Sequence, residues 1–177
     1  SEERFRGMGV EVMRASGKFT ARNELVAGDH VIRARRFVIA TGSSPMVPLI
    51  AGLDTVPYFT NETIFDNRTC PEHLLIVGGG PIGLELAQAH RRLGARVTVM
   101  EMTRFMPRDD EELSQIVTDR LRAEGITLHG GAQVQAVAKE GNEIRLDIEI
   151  DGQAQQITGS HLLVAAGRVP NLDIGLE

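Results

Sequence analysis

A strand, a glycine-rich turn, a helix and a second strand follow one another in residues 74–101, and this order constrains the fold more than any other part of the chain. Residues 74–77 are an apolar run typical of a buried parallel strand. Gly78, Gly80 and Gly83 then follow in the pattern G-x-G-x-x-G. The first glycine permits the tight turn, the second lets a pyrophosphate approach the backbone, and the third lets the helix pack close to the strand. The segment predicts a dinucleotide-binding turn, and the alternative is a glycine turn in an α/β protein of another kind.

The helix after the turn is predicted over residues 81–93. Pro81 suits the first helical turn, where its missing N–H costs nothing, and Gly94 predicts the stop. The helix N-terminus would point at the turn, so that its free N–H groups and its dipole favour a phosphate there. The residues expected to face inward on this helix are Ile82, Leu86, Ala89 and Leu93.

An acidic residue, Glu101, ends the second strand about 20 residues after the turn, where the acid that binds the adenosine ribose is expected. A carboxylate accepts hydrogen bonds from both ribose hydroxyls and repels a 2′-phosphate, so Glu101 favours NAD over NADP. Arg104 leaves NADP open as the alternative, because an arginine at this place could bind the 2′-phosphate. Otherwise Arg104 is a solvated loop charge.

Two other stretches, residues 35–45 and 160–170, resemble each other: each combines a short apolar run, a small residue pair, a glycine, two further residues and a proline. Alternating segments precede both and predict antiparallel strands. The chain thus contains one unit twice, a β-meander that returns through a buried strand to a glycine turn. The first copy lacks a glycine fingerprint, which we expect upstream of Ser1.

The second copy is predicted to contain a further helix over residues 109–124, which Gly125 ends, and a third strand over residues 126–131. Acidic residues at the start of this helix suit its dipole. The residues expected to face inward on it are Leu113, Ile116, Val117 and Leu121.

The composition is that of an ordinary globular protein, with 42% hydrophobic residues, 24% charged residues and a net charge of −5. The basic residues are scattered, so no nucleic-acid partner is predicted. The histidines have no Cys, Asp or Glu at metal-ligand spacing, so no metal is predicted either. No apolar run approaches the ~20 residues of a membrane span, and a single cysteine, Cys70, fits a reducing compartment. We expect a cytoplasmic protein without a membrane partner.

Three motifs together resemble one family: "ATGSSP" at residues 40–45, "GGGPIGLE" at residues 78–85 and "AAGRVPN" at residues 165–171. They are similar to those of the pyridine nucleotide-disulfide oxidoreductases, FAD-dependent enzymes that include dihydrolipoamide dehydrogenase, glutathione reductase and mercuric reductase. The resemblance covers nearly the whole chain. It implies an α/β fold, with a Rossmann-like dinucleotide-binding domain that has a parallel sheet and a β-meander, flanked by a partial FAD-domain segment.

In that family an NAD(P) domain is inserted in an FAD domain, and the resemblance divides this chain accordingly. Residues 1–48 are expected to end the first FAD-domain segment, with a β-meander and the strand before the "ATG" motif. Residues 49–65 are expected to be a linker. Residues 66–166 would form the NAD(P)-binding domain, and residues 167–177 would return toward the FAD domain.

The family's functional positions are carried over residue by residue. The expected FAD contacts are Thr41, Gly42 and Ser43. Glu85 matches a glutamate beside the nicotinamide and the flavin, and Val134 matches a contact of the adenosine. Pro81 stands where some members have an aromatic lid over the flavin. The residues expected to bind NAD are Gly78, Gly79, Gly80, Pro81, Ile82, Gly83, Glu85, Glu101, Val134 and Gly167.

The family's C-x4-C redox pair, catalytic histidine and later FAD motif do not occur in this chain. We therefore expect no catalytic residue in it, and Cys70 has no evident base or cation that would activate its thiol. The resemblance implies that the chain binds NADH, so that a hydride passes to FAD in a longer enzyme, and that this part alone is inactive. It also implies that the longer enzyme is a homodimer, formed through a domain outside this chain.

Two alternatives to a disulfide reductase remain at this point. One is a flavoprotein of the same architecture without the cysteine pair, such as a soluble transhydrogenase or an NADH oxidase. The other is a non-catalytic NAD-binding module, against which the incomplete FAD unit argues. The motifs do not identify the electron acceptor.

Overall fold

The computed structural model describes residues 1–176 of the chain, which divides into two compact units. The smaller unit comprises residues 1–44 and the C-terminal residues from Pro170 onward. The larger unit comprises residues 45–169 and contains the whole glycine fingerprint.

The smaller unit begins with a short helix, α1 (Glu2–Gly7), which an antiparallel meander of three strands follows. Phe19, in the first strand, packs edge-to-face against Phe37 with the ring centroids 4.9 Å apart. The N–H of Phe19 also donates to the carbonyl of Ile174 at 2.7 Å, so the C-terminal residues belong to this unit. The meander predicted for the first copy is confirmed; its strands are β1 (Gly17–Ala21), β2 (Glu24–Ala27) and β3 (His30–Arg33).

The prediction that a buried strand follows this meander is wrong. Residues 37–40 have irregular backbone, and Val38 exposes 93% of its surface. An apolar run becomes a buried strand when strands on both sides hydrogen-bond to it, and within residues 1–44 and 170–176 none runs beside this segment. A three-residue strand, β4 (Ser43–Pro45), follows instead.

The larger unit is built on a parallel five-stranded sheet, which confirms the predicted α/β class. Its central strand is buried along its whole length and pairs with a parallel strand on either side. A strand that is covered on both faces reads as a continuous apolar run, which is why this segment was evident in the sequence. In sheet order the strands are β5 (Phe59–Thr60), β12 (His161–Val164), β6 (His73–Val77), β7 (Arg96–Glu101) and β8 (Thr127–Gly130).

One face of this sheet is covered by two helices, α2 (Pro81–Arg92) and α3 (Glu111–Ala123). Leu74 and Ile76 of β6 face them and form a core with Leu84 of α2 and Leu121 of α3. Among the described helices, none combines the length and the apolarity that crossing a membrane would need.

The opposite face is covered by an antiparallel meander, as predicted for the second copy. Leu75 and Val77 alternate with the helix-facing residues of β6 and pack against Leu146 and Ile148 of the meander. The meander's strands are β9 (Ala132–Glu140), β10 (Glu143–Ile150) and β11 (Gln153–Gly159), and a short strand, β13 (Arg168–Pro170), follows β12.

The inward face predicted for α2 was wrong except at Leu86. The buried residues are Gly83, Leu84, Leu86 and Ala87, whereas Ile82, Ala89 and Leu93 are exposed. The contact between Gly83 and the preceding turn determines which side of the helix meets the sheet. Ala87 lies one turn further along the same side, so the buried face follows Gly83 and Ala87 together with their neighbours Leu84 and Leu86.

The inward face predicted for α3 was wrong except at Leu121. Leu113 and Ile116 expose 63% and 64% of their surfaces, and Val117 is exposed as well. Ser114 and Thr118 are buried in their place, and their hydroxyls donate to the helix carbonyls of Asp110 and Gln115. A hydroxyl that bonds to its own helix costs little to bury, and its polarity misleads a pattern of apolar spacing.

The segment 49–65, which the sequence suggested as a linker, is part of the larger unit. It contains two short 3-10 helices, Leu53–Thr55 and Ile64–Asp66, and strand β5. Leu53, Val56 and Ile64 are buried in its cores.

A buried histidine makes the stability of the larger unit depend on pH. His73 begins the central strand, and its Nε2 lies 2.8 Å from the hydroxyl of Thr98. Burial lowers the pKa of His73 below its usual value, and the positive charge of Arg96 lowers it further. The unfolded chain therefore binds a proton more readily than the folded one, and stability is lost as pH falls below about 6.5 toward the lowered pKa.

We predict that His73→Gln reduces this loss, because the neutral amide has no proton to gain. The measurement is urea unfolding at a series of pH values on either side of the unfolded-state pKa. Burial also lowers the pKa values of His129 and His161, so a weaker dependence of the free energy of unfolding on pH should remain in this variant. His30→Gln, on the exposed end of β3, serves as the control. Equal slopes in His73→Gln and the wild type would contradict the assignment.

Candidate functional site

The glycine turn between β6 and α2 is closed by contacts between backbone atoms. Gly78 has a positive φ of 116°, which favours glycine. Its N–H donates to the carbonyl of Met100 at 2.9 Å. A Cβ at Gly78 would overlap the carbonyl of Ala165, and a Cβ at Gly83 would overlap the carbonyl of Gly78. Both positions need glycine because neighbouring backbone occupies the space of a side chain.

Gly80 has a different role, since a Cβ placed there would meet no atom within 4 Å. Gly80 is the N-cap of α2, which has no side-chain capping bond, and Pro81 takes the first helical position. The first N–H groups of a helix have no partner within the helix. Helix α3, by contrast, is capped by Asp110, whose side chain accepts the N–H groups of Glu112 and Leu113. The start of α2 therefore faces open space with unused donors, the arrangement that an anion needs.

Two cavities open at this turn. The first measures about 530 Å³ and lies between the turn, the loop after β7 and the end of β12. The second measures about 300 Å³ and extends to β9. They share Met46, Gly78, Glu101 and Ala166, so they adjoin. Their sizes suit a bound small molecule of two linked parts.

Most residues predicted to bind NAD come together here. Those lining the first cavity are Gly78, Gly80, Pro81, Ile82, Glu101 and Gly167. Val134 lines the second cavity together with Gly78 and Glu101. Gly79 lies within the turn, where a Cβ would overlap Phe105. Glu85 is exposed on α2 and lines neither cavity.

Sequence reasoning missed several lining residues. Ala165 and Ala166 immediately precede Gly167, and the repeated small residues there were an available signal. Met46 and Arg108 had no such signal, because only the fold brings them to the cavity. Arg108 has no hydrogen bond or ion pair with any described residue, so it adds positive charge beside the start of α2.

The carboxylate of Glu101 is held through both oxygens. Oε2 accepts the N–H of Gly79 at 2.7 Å. Oε1 accepts the N–H and the hydroxyl of Thr103, each at 3.0 Å. A carboxylate has about four acceptor positions, so these three bonds leave capacity for a further donor.

Arg104 is engaged within its own loop. Its guanidinium donates to the carbonyls of Met106 at 3.2 Å, Pro107 at 3.0 Å and Asp109 at 2.9 Å. Arg104 is exposed, as expected of a solvated loop charge, and three of its five N–H donors are bonded to carbonyls of its own loop.

The residues predicted to contact FAD lie in the smaller unit, beside Asn171. The hydroxyl of Thr41 donates to the carbonyl of Asn171 at 2.6 Å, and the N–H of Asn171 donates to the carbonyl of Gly42 at 3.0 Å. Ser43 begins β4. Their contact with FAD stays a prediction.

Cys70 is exposed, and its Sγ lies 3.6 Å from the carbonyl of Leu93. Within residues 1–176, no group of three or more His, Cys, Asp or Glu side chains is arranged to hold a metal ion. The chemistry of the site is therefore that of a backbone anion cradle with one fixed carboxylate, at the carboxyl end of a parallel strand, where α/β proteins bind ligands.

Comparison with known proteins shows the family to which the chain belongs. A family profile described as "Pyridine nucleotide-disulphide oxidoreductase" matches residues 2–177, and the chain belongs to that family. This is a family of FAD-dependent enzymes that use NAD(P)H.

Two relatives are mercuric reductases. The enzyme of Streptomyces lividans is 43% identical over 152 residues, which is 85% of this chain and 32% of that protein. The enzyme of Bacillus cereus is 36% identical over 163 residues, which is 92% of this chain and 26% of that protein. The chain thus spans about a third or less of the length of these relatives.

A solved structure with the same fold is the Cu(II) complex of the HOCl-induced flavoprotein disulfide reductase RclA from Escherichia coli. It superposes with a TM-score of 0.83 at 25% identity, covering 98% of this chain and 41% of that one. LpdA from Mycobacterium tuberculosis gives a TM-score of 0.82 at 25% identity, covering 96% of this chain and 39% of that one.

The turn's glycines should respond differently to the same substitution. We predict that Gly83→Ala lowers the free energy of unfolding by about 2 kcal/mol, because its methyl group meets the Gly78 carbonyl. Replacing glycine by alanine in a helix interior otherwise raises the free energy of unfolding by about 1 kcal/mol, so a decrease at Gly83 would identify the clash. Gly80→Ala should change stability by less than about 1 kcal/mol. Urea unfolding measures both, and a stabilised Gly83→Ala would contradict the packing described.

Proposed function

We propose that the larger unit binds NADH at the glycine turn and, in a longer flavoprotein of the family, presents its nicotinamide to FAD. The observation that carries this proposal is the uncapped start of α2, which faces the open space over Gly80 beside two adjoining cavities. The family's use of NAD(P)H supports it.

The pyrophosphate would lie at the start of α2. The N–H groups of Ile82 and Gly83 belong to the first turn, and the helix dipole adds partial positive charge there. Arg108 lines the same cavity and would offset the second phosphate charge. A side chain at Gly80 would occupy the space that the phosphates need.

The adenosine would lie in the second cavity, with one of its ribose hydroxyls donating to the remaining acceptor position of Glu101. The apolar lining of that cavity, which includes Ile50, Met100 and Val134, suits an adenine ring. The choice of NADH over NADPH follows from charge. A fixed carboxylate repels a 2′-phosphate, and three bonds to loop carbonyls hold the guanidinium of Arg104 within its own loop.

The nicotinamide would lie in the first cavity, near Ile82 and Gly167. The hydride chemistry belongs to the nicotinamide and the flavin, and this chain's residues bind and orient them. Glu85, exposed on α2, is proposed to meet the nicotinamide end, and Thr41, Gly42 and Ser43 are proposed to contact FAD.

The whole protein is proposed to be an FAD-dependent oxidoreductase. The relatives named mercuric reductase make Hg(II) the first electron acceptor to test in it. A cytoplasmic location fits the single exposed, unpaired Cys70, and the homodimer stays a prediction.

Calorimetric titration of the chain with NADH and NADPH at one salt concentration tests the proposal. We expect tighter binding of NADH. Gly80→Ala should weaken both nucleotides at least about tenfold, because its methyl group enters the phosphate space while the fold persists. Gly7→Ala also adds a methyl group into open space, in the smaller unit, and should leave binding unchanged.

A second variant separates the two nucleotides. Glu101→Gln keeps the size of the side chain and removes its charge, so the preference for NADH should fall about tenfold. Tighter binding of NADPH by the wild type would show that Arg108 outweighs Glu101. Absence of binding by either nucleotide would overturn the proposal.

A further inference from the structure

We propose that Thr103 is the positioning residue that holds the Glu101 carboxylate in place and thereby sets the preference for NADH over NADPH. This inference rests on the proposed function and goes beyond it, since neither the glycine fingerprint nor the acid predicts a role for the loop residue.

Gly79 and Thr103 together hold the carboxylate of Glu101. Glu101 is the last residue of β7, where its backbone pairs with Gly130 of β8, so the position of its carboxylate depends on the bonds that the side chain itself makes. Gly79 holds one oxygen, and Thr103 supplies both bonds to the other, from its N–H and from its hydroxyl. Without the hydroxyl, Oε1 keeps a single partner and the carboxylate gains freedom to rotate. A nucleotide would then have to immobilise it on binding, at a cost in affinity.

Thr103 is itself anchored, although it is exposed. Its carbonyl accepts the N–H of Gly131 at 2.9 Å, which joins it to the turn between β8 and β9. The next residue, Arg104, donates to three carbonyls of the same loop. The hydroxyl therefore reaches Glu101 from a fixed backbone, not from a mobile loop.

The loop also supports the glycine turn. Met106 has a φ of 49°, a left-handed conformation that is unusual for a residue other than glycine, and its N–H donates to the carbonyl of Gly79 at 2.9 Å. The peptide groups of Gly79 are thus bonded on both sides, to Glu101 through the N–H and to Met106 through the carbonyl. Strained residues persist where the surroundings determine the conformation, and they concentrate at binding sites.

Fixing the carboxylate affects the two nucleotides in opposite directions. For NADH, a carboxylate already in place accepts a ribose hydroxyl without further ordering. For NADPH, the same carboxylate cannot turn away from the 2′-phosphate, so the repulsion is kept. Loss of the Thr103 hydroxyl should therefore weaken the binding of NADH and, at the same time, reduce the repulsion that opposes the binding of NADPH.

The test is calorimetric titration of NADH and NADPH into the full chain and three variants. Thr103→Val removes the hydroxyl and keeps the shape; we expect the dissociation constant of NADH to rise about fivefold and the preference for NADH to fall about tenfold. Thr103→Ser restores the hydroxyl and should bring the preference back to within about twofold of the wild type.

Thr69→Val is the matched control. The N–H and hydroxyl of Thr69 both donate to one side-chain oxygen of Asn67, at 3.2 and 3.3 Å, which repeats the pattern of Thr103 and Glu101. Thr69 lines neither cavity, so the preference should be unchanged. Thermal unfolding of each variant shows whether stability is altered, and a purely structural role would change stability without changing the ratio of the two affinities.

Three results would overturn the inference. In the first, the preference of Thr103→Val for NADH over NADPH stays within about twofold of the wild type. In the second, Thr103→Ser shows the same preference as Thr103→Val. In the third, Thr69→Val loses as much of the preference as Thr103→Val does. Failure of the wild type to bind either nucleotide is a different result, which removes the proposed function itself.

Discussion

The close approach of Gly83 to the carbonyl oxygen of Gly78 determines where helix α2 begins relative to the central strand. Ala165 meets Gly78 from the neighbouring strand, so three backbone segments touch at one place with no side chain between them. This packing leaves the first turn of α2 uncapped and facing open space over Gly80. The anion cradle is therefore a consequence of how tightly the helix packs on the sheet.

In the proposed site, the loop after β7 would help to provide what the turn lacks, which is selectivity between NADH and NADPH. The turn alone offers N–H groups that any phosphate would accept. Glu101 ends β7 and lines both cavities, and bonds from Gly79 of the turn and from Thr103 of the loop hold its carboxylate. Membership of the pyridine nucleotide-disulphide oxidoreductase family gives this arrangement a context, because family members use a nicotinamide nucleotide together with FAD.

The sequence predicted the parallel sheet and the two helices of the larger unit and the meander of each unit, because those depend on local periodicity and on glycine, but it did not predict β5 and the 3-10 helices of residues 53–66. It failed where packing decides which side of a helix is buried, where a buried polar side chain bonds to its own helix, and where a strand needs a distant neighbour. Helix α3 buries Ser114 and Thr118 since their hydroxyls bond within the helix, and α2 follows the side that Gly83 selects. The apolar run at residues 37–40 has no neighbouring strand within the described residues of its unit. In the site, the glycines and Glu101 were predicted from the sequence, whereas Met46 and Arg108 reach the cavity only through the fold. Thr103 lies two residues from Glu101, but the sequence carries no signal for the bonds that it makes to the carboxylate.

The central claim is that the first turn of α2 binds the phosphates of a nicotinamide nucleotide. The most direct measurement is to follow the backbone amide resonances of the ¹⁵N-labelled chain by NMR while NADH is added. The account predicts the largest shifts at the amides of Ile82 and Gly83, with little change at Glu112 and Leu113, whose N–H groups Asp110 already occupies. Shifts that leave Ile82 and Gly83 unchanged, at NADH concentrations that saturate binding, would contradict it.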